Sequence, residues 1–161
     1  SNVVKLLENI FRTLDALCDE HNVVKIKTVG DSYMCFRGDA DASTNALSVA
    51  RVALAVLQHP GTWPTGEPLH VRIGIHIGPA TAGVIGTQRL QYDLWGDTVN
   101  VASRMESTSE PGRIHISEAL AKALNEALSK ALNEAHIVPR GTMDIKGKGM
   151  MQTYWLESPL S

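Results

Sequence analysis

The chain has 161 residues, of which 43% are hydrophobic, and a formal net charge of −2 at pH 7. This length and apolar content predict one folded domain, residues 1–161, and exclude an intrinsically disordered chain. The near-zero charge, without a local basic patch, argues against nucleic-acid binding and against membrane contact by this segment. No apolar run reaches the length of a membrane span. Cys18 and Cys35 lack a CxxC spacing, which predicts neither a disulfide framework nor a structural zinc site and favours a reducing compartment.

The first third of the chain predicts two helices with a strand pair between them. Apolar residues recur at three- and four-residue spacings over residues 3–18, and helical periodicity returns from about Ser43 to Leu57. Between them, "VVKIKTVGDSYMCF" holds two β-rich runs separated by Gly30-Asp31, a pattern typical of strands joined by a tight turn.

The middle of the chain predicts three further strands and a helix. Strict alternation over "LHVRIGIHIG", residues 69–78, predicts a strand with one face in the core. "TAGVIG" and "LQYDLW" predict an extended hairpin around residues 87–89, followed by a helix that Asp97 or Thr98 caps and that runs to about Met105; we favour Asp97 as the cap. "RIHIS" predicts the next short strand.

The last part of the chain predicts one unusual helix and a second hairpin. The helix from Glu118 to Ala135 contains the hexamer KALNEA twice, eight residues apart. An eight-residue repeat rotates its second copy around the helix, so we interpret this duplicated segment, about residues 119–135, as a helix extension and not as a coiled coil. "MDIKGKGMMQTYWL" predicts two strands around a Gly-Lys-Gly turn. The alternation of helices and hairpins predicts an α/β or α+β domain with a helix-covered sheet.

Polar residues concentrate at four places where a plain core would not need them: Lys27 with Asp31, Asp93, the pair Asn100 and Arg104, and Lys146 with Lys148. Each place also has an ordinary structural interpretation. Lys27 fits a solvated strand face, and Asp31 is a common turn residue. Asn100 and Arg104 are one helical turn apart, as on any exposed helix face. Residues 146–149 fit a basic hairpin tip or a backbone that approaches a phosphate chain. His76 is more typical of a structural histidine than of a base, and both cysteines of packing residues.

Five sequence motifs that contain these residues or lie between them occur in an order that is typical of one protein family. "KIKTVGDSYM", "VRIGIHIGPATAGVIG", "YDLWGDTVNVASRM", "GRIHIS" and "IKGKG" together closely resemble the catalytic domain of class III nucleotidyl cyclases. The resemblance covers essentially the whole chain apart from the duplicated helix. It implies an α+β sandwich with a ferredoxin-like βαββαβ core and a dimerisation hairpin, and it implies a signalling lyase that converts a nucleoside triphosphate into a 3′,5′-cyclic monophosphate and pyrophosphate.

The resemblance implies a role for each of six residues. Lys27 and Asp93 match the pair that reads the purine; guanylyl cyclases of the family typically carry Glu and Cys at these places, so the sequence resembles an adenylyl cyclase with ATP as its substrate. Asn100 matches the residue that orients the ribose, and Arg104 the one that stabilises charge on the phosphate. Lys146 matches the lysine that holds the β- and γ-phosphates, and Lys148 is a second-rank candidate for the same role.

The remaining site residue and the partners are also implied by the resemblance. Asp31 matches one of two aspartates that hold two Mg²⁺ or Mn²⁺ ions. The site of such enzymes lies between two catalytic domains, which predicts a homodimer, or a heterodimer with a related domain, joined partly through the arm around residues 87–90. A cytoplasmic location is expected, as the cytosolic domain of a larger membrane-anchored protein.

One departure from the family limits these expectations. The family's domain normally opens with a strand of the type F-x-D-I-x-G-F that carries the other metal aspartate, and nothing like it is present here. We therefore expect an N-terminally truncated domain. The alternatives to an adenylyl cyclase are a guanylyl cyclase, and a catalytically incomplete cyclase-like domain that binds nucleotide or pairs with an active partner.

Overall fold

The computed structural model describes residues 2–58, 61–62, 65–85, 91–131 and 135–158. Its helices and strands, in chain order, are α1 (Asn2–Glu20), β1 (Val24–Val29), β2 (Ser32–Phe36), α2 (Ala42–Gln58), β3 (Ile73–Ile75), β4 (Thr81–Ile85), β5 (Gln91–Trp95), α3 (Asp97–Ser107), β6 (Ile114–Ser117), α4 (Glu118–Ala131), β7 (His136–Ile145) and β8 (Gly149–Glu157). This mixture confirms the predicted α+β class.

The predicted hairpin between the first two helices is confirmed. Strands β1 and β2 are antiparallel, with Val29 opposite Ser32 and Gly30-Asp31 as the turn. Gly30 has φ +58°, a conformation that glycine adopts without strain. The register shifts between Lys25 and Lys27, so Ile26 is an extra residue that bends the strand.

The strand predicted over residues 69–78 is shorter than expected. Only Ile73–Ile75 pairs, parallel to Ile114–Ile116 of β6. Before β3, the Val71 carbonyl accepts a hydrogen bond from the Gly112 N–H. At the first residue of β3, the Ile73 N–H donates to the Arg113 carbonyl. Alternation predicts which face is buried, whereas the length of a strand is set by its hydrogen-bonding neighbour, and β6 has only four residues.

Strand β7 begins at His136, seven residues before the start of the predicted strand at Met143. The other elements agree with the predictions, with two restrictions. Strands β4 and β5 form the expected antiparallel hairpin, but its tip around residues 87–90, and with it the expected dimerisation arm, lies outside the described residues. The second copy of KALNEA lies almost wholly outside them as well, since α4 is described to Ala131. The Ser117 hydroxyl accepts a hydrogen bond from the Leu120 N–H at the start of α4.

The described strands form three sheets, with the orders β1-β2, β3-β6-β8-β7 and β4-β5. Within the described part of the chain, β2 pairs only with β1, and β3 only with β6. One edge of β2 and one edge of β3 therefore have no strand partner among these residues.

Helix α2 joins the two larger parts of the core. Its Ala46, Ala50 and Ala53 pack in the main cluster with β3, β6, α4 and β8, while Val52 packs with Cys18 and Val23 of the α1–β1 region. Small alanines on one face let α2 approach the sheet closely. Among the described residues, no helix is both long and apolar enough to cross a bilayer.

Candidate active site

Helix α3 carries two of the predicted site residues and begins at a glycine. Gly96 is the N-cap with φ +118°, and its carbonyl accepts a hydrogen bond of 3.2 Å from the Asn100 N–H. The prediction that Asp97 caps the helix is wrong, because the cap makes no side-chain hydrogen bond. Thr98 does not cap it either, since its hydroxyl donates to the Pro79 carbonyl. Asp97 instead lies in the first turn, where a carboxylate interacts favourably with the helix dipole, and pairs with Lys148.

A cleft of about 490 Å³ lies between α3 and the β7–β8 turn. Its lining residues are Asp97, Asn100, Val101, Ser103, Arg104, Lys146, Gly147 and Lys148. The structure thus brings together Asn100, Arg104 and Lys146, three of the six predicted site residues. Three cationic side chains face one carboxylate in this cleft, a balance that suits an anionic ligand such as a phosphate chain.

The end of α3 that holds Arg104 is fixed by several hydrogen bonds. The Arg104 carbonyl accepts from the Thr108 N–H at 3.0 Å and from the Thr108 hydroxyl at 2.6 Å. The next carbonyl, of Met105, accepts from Nδ1 of the fully buried His115 at 2.9 Å. Arg140 donates to the Thr108 carbonyl at 2.6 Å. These contacts connect the end of α3 to β6 and β7, and they therefore fix the position of the Arg104 backbone.

His115 makes this anchorage sensitive to protonation. Its Nε2 is buried without a hydrogen-bond partner among the described residues. Burial lowers the pKa of His115, since a charged ring would place an unpaired N–H in the core.

The two residues predicted to read the purine lie on neighbouring strands. Lys27 is half-buried on β1, opposite Met34 of β2. Asp93 lies on β5, where its backbone pairs with Gly83; its side chain is outside the described residues. Because β1 contacts β5, the two positions belong to one region of the same chain.

Asp31, the predicted metal ligand, is exposed in the turn between β1 and β2. It does not line the cleft that holds Arg104 and Lys146. Across the described residues, no group of three or more His, Cys, Asp or Glu side chains is arranged to hold a metal ion. Asp31 therefore supplies a single carboxylate at an exposed tip.

His76 and the cysteines have structural roles, as predicted from the sequence. His76 Nδ1 lies 2.6 Å from the Ser117 hydroxyl, and burial lowers the pKa of His76, with Lys148 acting in the same direction and Asp97 opposing it. Cys18 is buried against Cys35, and the neighbouring Cys35 thiol lowers the pKa of Cys18. The Tyr33 hydroxyl donates to Asp15 at 2.6 Å beside them.

Sequence reasoning missed the ion pair between Asp97 and Lys148 and the close backbone contact between α3 and β3. A Cβ placed on Gly74 would lie 2.0 Å from the Glu106 backbone nitrogen, so β3 and α3 touch backbone to backbone there. The signal was available in "RIGIH", where a glycine interrupts a run of β-branched residues and marks a close backbone approach.

The fold and this cleft define a mixed α+β domain with a cationic site built on one helix and one β-turn. Its sequence matches the profile of the adenylate and guanylate cyclase catalytic domain over residues 1–158. The chain belongs to this family of nucleotide cyclase catalytic domains.

Three comparisons illustrate the similarity. The chain is 40% identical to mouse (Mus musculus) guanylate cyclase D over 160 residues, which is 96% of the chain but 14% of that protein. It is 34% identical to the guanylate cyclase domain of RhGC from Catenaria anguillulae, solved with GTP, with a TM-score of 0.85 over 98% of the chain and 84% of that structure. It is 35% identical to the catalytic core of a rhodopsin-guanylyl cyclase with converted specificity, solved with ATPαS, with a TM-score of 0.84 over 98% of the chain and 83% of that structure.

Proposed function

We propose that this domain is the catalytic part of an adenylyl cyclase, which converts ATP into 3′,5′-cyclic AMP and pyrophosphate. The observation that carries the choice of ATP is the identity of two residues, Lys27 on β1 and Asp93 on the contacting β5. Adenine presents an amino donor beside a ring-nitrogen acceptor. An Asp acceptor and a Lys donor satisfy that edge, whereas guanine presents the opposite polarity and would leave buried polar groups unpaired.

A second candidate is a guanylyl cyclase, and the comparisons taken over the whole chain favour it. Mouse guanylate cyclase D and the GTP-bound RhGC domain are both named for guanine nucleotides. Overall identity, however, is dominated by the scaffold. The rhodopsin-guanylyl cyclase core whose specificity was converted, and which was solved with ATPαS, supports the view that one scaffold serves either purine. The two base-reading positions therefore bear on the substrate more directly than the overall identity does.

The cleft supplies the groups for the phosphates and the ribose. In the proposed reaction the ribose 3′ hydroxyl gives its proton to water and its oxygen bonds to the α-phosphorus. The bond from the α-phosphorus to the bridging oxygen breaks, and pyrophosphate leaves with the bonding electrons. Asn100 orients the ribose, and Arg104 stabilises the charge that develops on the α-phosphate. Lys146 binds the β- and γ-phosphates at the β7–β8 turn. A fixed donor of this kind is often worth about 3 kcal/mol in the transition state.

Asp31 is the residue of this chain that we assign to Mg²⁺ or Mn²⁺. Its exposed carboxylate has the right chemistry, since Mg²⁺ is usually held by one or two carboxylates together with substrate phosphates and water. Two such ions, when bound, supply positive charge to the attacking and leaving oxygens. The family resemblance implies a second aspartate on a further strand, and among the described residues one edge of β2 and one edge of β3 have no strand partner.

We propose that the active form is a dimer, either of two copies or of this domain with a related one. Asp31 lies at the tip of one hairpin, and the cationic cleft does not include it. In a two-fold dimer, Asp31 of one chain would complete the site formed by Lys27, Asp93, Asn100, Arg104 and Lys146 of the other. We further propose that the domain belongs to a larger protein, since the chain spans only 14% of mouse guanylate cyclase D. From the family resemblance we propose that this larger protein is membrane-anchored and that the domain is its cytoplasmic part.

The purine assignment is tested by exchanging the two base-reading residues. The chain, alone and extended by an N-terminal segment that restores the family's first strand, is incubated with Mn²⁺ and either ATP or GTP, and both cyclic products are measured. We expect cyclic AMP, and we expect Lys27→Glu with Asp93→Cys to move the ATP/GTP preference by about 100-fold or more toward GTP. Lys25→Glu is the matched control, because Lys25 lies on the same strand but pairs with Asp15 at 3.4 Å.

The outcomes separate the candidates. Cyclic GMP as the main product of the unaltered enzyme would favour the guanylyl cyclase. An exchange that leaves the preference unchanged would show that other residues read the base. Nucleotide binding without either product, in the extended form, would favour the catalytically incomplete domain.

A further inference from the structure

An ion pair joins the two walls of the cleft. The Lys148 ammonium contacts the Asp97 carboxylate, which joins the β7–β8 turn to the first turn of α3. Both side chains line the cleft, and both stay partly exposed, at 38% for Lys148 and 65% for Asp97. The pair is therefore part of the cleft lining and within reach of a ligand that binds between the turn and the helix.

Lys148 differs from the other cations of the cleft in being paired. Among the ion pairs of the described residues, neither Arg104 nor Lys146 has a carboxylate partner, whereas Lys148 has Asp97. Exposed ion pairs contribute little to stability, because water and salt screen them and because two flexible side chains must be ordered. Phosphate and carboxylate oxygens are both ionised acceptors for an ammonium group, so a triphosphate, which carries several such oxygens, can displace the single carboxylate.

The turn allows this exchange without a change of its backbone. The Lys148 N–H donates to the Ile145 carbonyl at 2.8 Å, and Gly147 and Gly149 take the positive φ values of 86° and 78° that the turn needs. With its backbone fixed, Lys148 still has a flexible four-carbon stem that can move its charge from one acceptor to another.

We propose that Asp97 is the ion-pair partner of Lys148 when no ligand is bound, and that a triphosphate replaces Asp97 as this partner when it binds. Lys148 is then a further phosphate-binding residue, and Asp97 is a built-in competitor that lowers the affinity of the site for its substrate and for its pyrophosphate product. This inference rests on the proposed function, since it needs a triphosphate in the cleft. The inference adds Asp97 and Lys148 to the residues that set the affinity for the triphosphate.

The test measures binding of inorganic tripolyphosphate by titration calorimetry at low salt, which needs neither base recognition nor turnover. We expect Asp97→Asn to tighten binding by about 2- to 5-fold, the range of an exposed ion pair, and Lys148→Gln to weaken it by a similar factor. In the Lys148→Gln background, Asp97→Asn should have almost no effect. Asp144→Asn is the matched control, because Asp144 is an exposed carboxylate of the same hairpin that does not line the cleft.

Two results would overturn the inference. Equal effects of Asp97→Asn with and without Lys148 would mean that Asp97 acts as a general negative charge. Weaker binding by Asp97→Asn, together with a lower unfolding free energy, would mean that the ion pair only holds the turn in place. If the unaltered chain binds tripolyphosphate with the expected coupling, but the chain extended by the family's first strand cyclises neither nucleotide, the proposed function fails while this inference stands.

Discussion

Replacing Gly74 by alanine tests whether the position of α3 depends on its backbone contact with β3. An ideal Cβ at Gly74 lies 2.0 Å from the Glu106 nitrogen, 2.4 Å from the Met105 carbonyl carbon and 2.6 Å from the Glu106 Cα. All three are backbone atoms, so no rotamer change can relieve the contact. Restoring an ordinary separation of about 3.4 Å needs a local shift of about 1.4 Å between strand and helix.

That shift should affect both stability and the cleft. Overpacking of a core typically costs 1–3 kcal/mol, and a contact between two backbones belongs at the upper end, about 3 kcal/mol. For a chain of this size, about 3 kcal/mol lowers the melting temperature by about 6–12 °C. Since α3 also carries Asn100 and Arg104, a displacement of about 1 Å at the reacting groups should lower kcat/KM by about 100-fold.

Urea unfolding and nucleotide cyclisation of Gly74→Ala measure the two effects. Gly38→Ala is the control, because its φ is not positive and its added Cβ meets only the Phe36 ring, at 3.3 Å, which can move. We expect the control to unfold within about 1 kcal/mol of the unaltered chain. A Gly74→Ala chain that is as stable as this control would refute the idea that the strand seats the helix at this glycine.

Three further predictions concern protonation and the cleft. The lowered pKa of His115 means that its neutral form is favoured in the folded chain; the unfolding free energy should therefore fall as the pH drops below about 6.5, and His115→Gln should flatten this dependence in urea titrations at pH 7.5 and 5.5. Asp97→Asn should lower the pKa of His76 further, since Asp97 raises it, and an NMR titration of the ring protons that finds no change would contradict the arrangement. Arg104→Ala should lower kcat by about 100- to 1,000-fold with a normal melting curve, and a loss below about 3-fold would remove Arg104 from the transition state.

The sequence predicted those features that depend on local pattern. Helix α1, helix α2 and the β1–β2 hairpin were predicted to within a few residues, because periodicity and a Gly-Asp turn are read from neighbouring residues. The length of β3 was predicted wrongly, since it depends on β6, about 40 residues further along the chain. Asp97 was assigned to the cap for the same reason: its partner Lys148 comes from a distant turn.

The candidate site shows the same division between local pattern and distant contact. Asn100 and Arg104 were predicted to share a helix face, and both line the cleft. Their joining with Lys146 was predicted only through the family resemblance, because no local rule places a turn near residue 147 beside α3. The hydrogen bond from His115 to the Met105 carbonyl, which fixes the end of α3, had no signal in the sequence beyond a histidine in a strand.

The choice between ATP and GTP depends on a small part of the molecule. The groups that contact the phosphates and the ribose are indifferent to the purine, because both nucleotides carry the same triphosphate and sugar. Most of the core, including α2, α4 and the four-stranded sheet, is equally indifferent. A chain can therefore be 40% identical to a guanylate cyclase and still prefer ATP, since two residues out of 161 face the pairing edge of the base in our proposal. Exchanging the donor and the acceptor at those two positions is the smallest change that would reverse the preference for ATP over GTP. The exchange at Lys27 and Asp93 therefore tests the choice of substrate more sharply than any comparison of whole sequences.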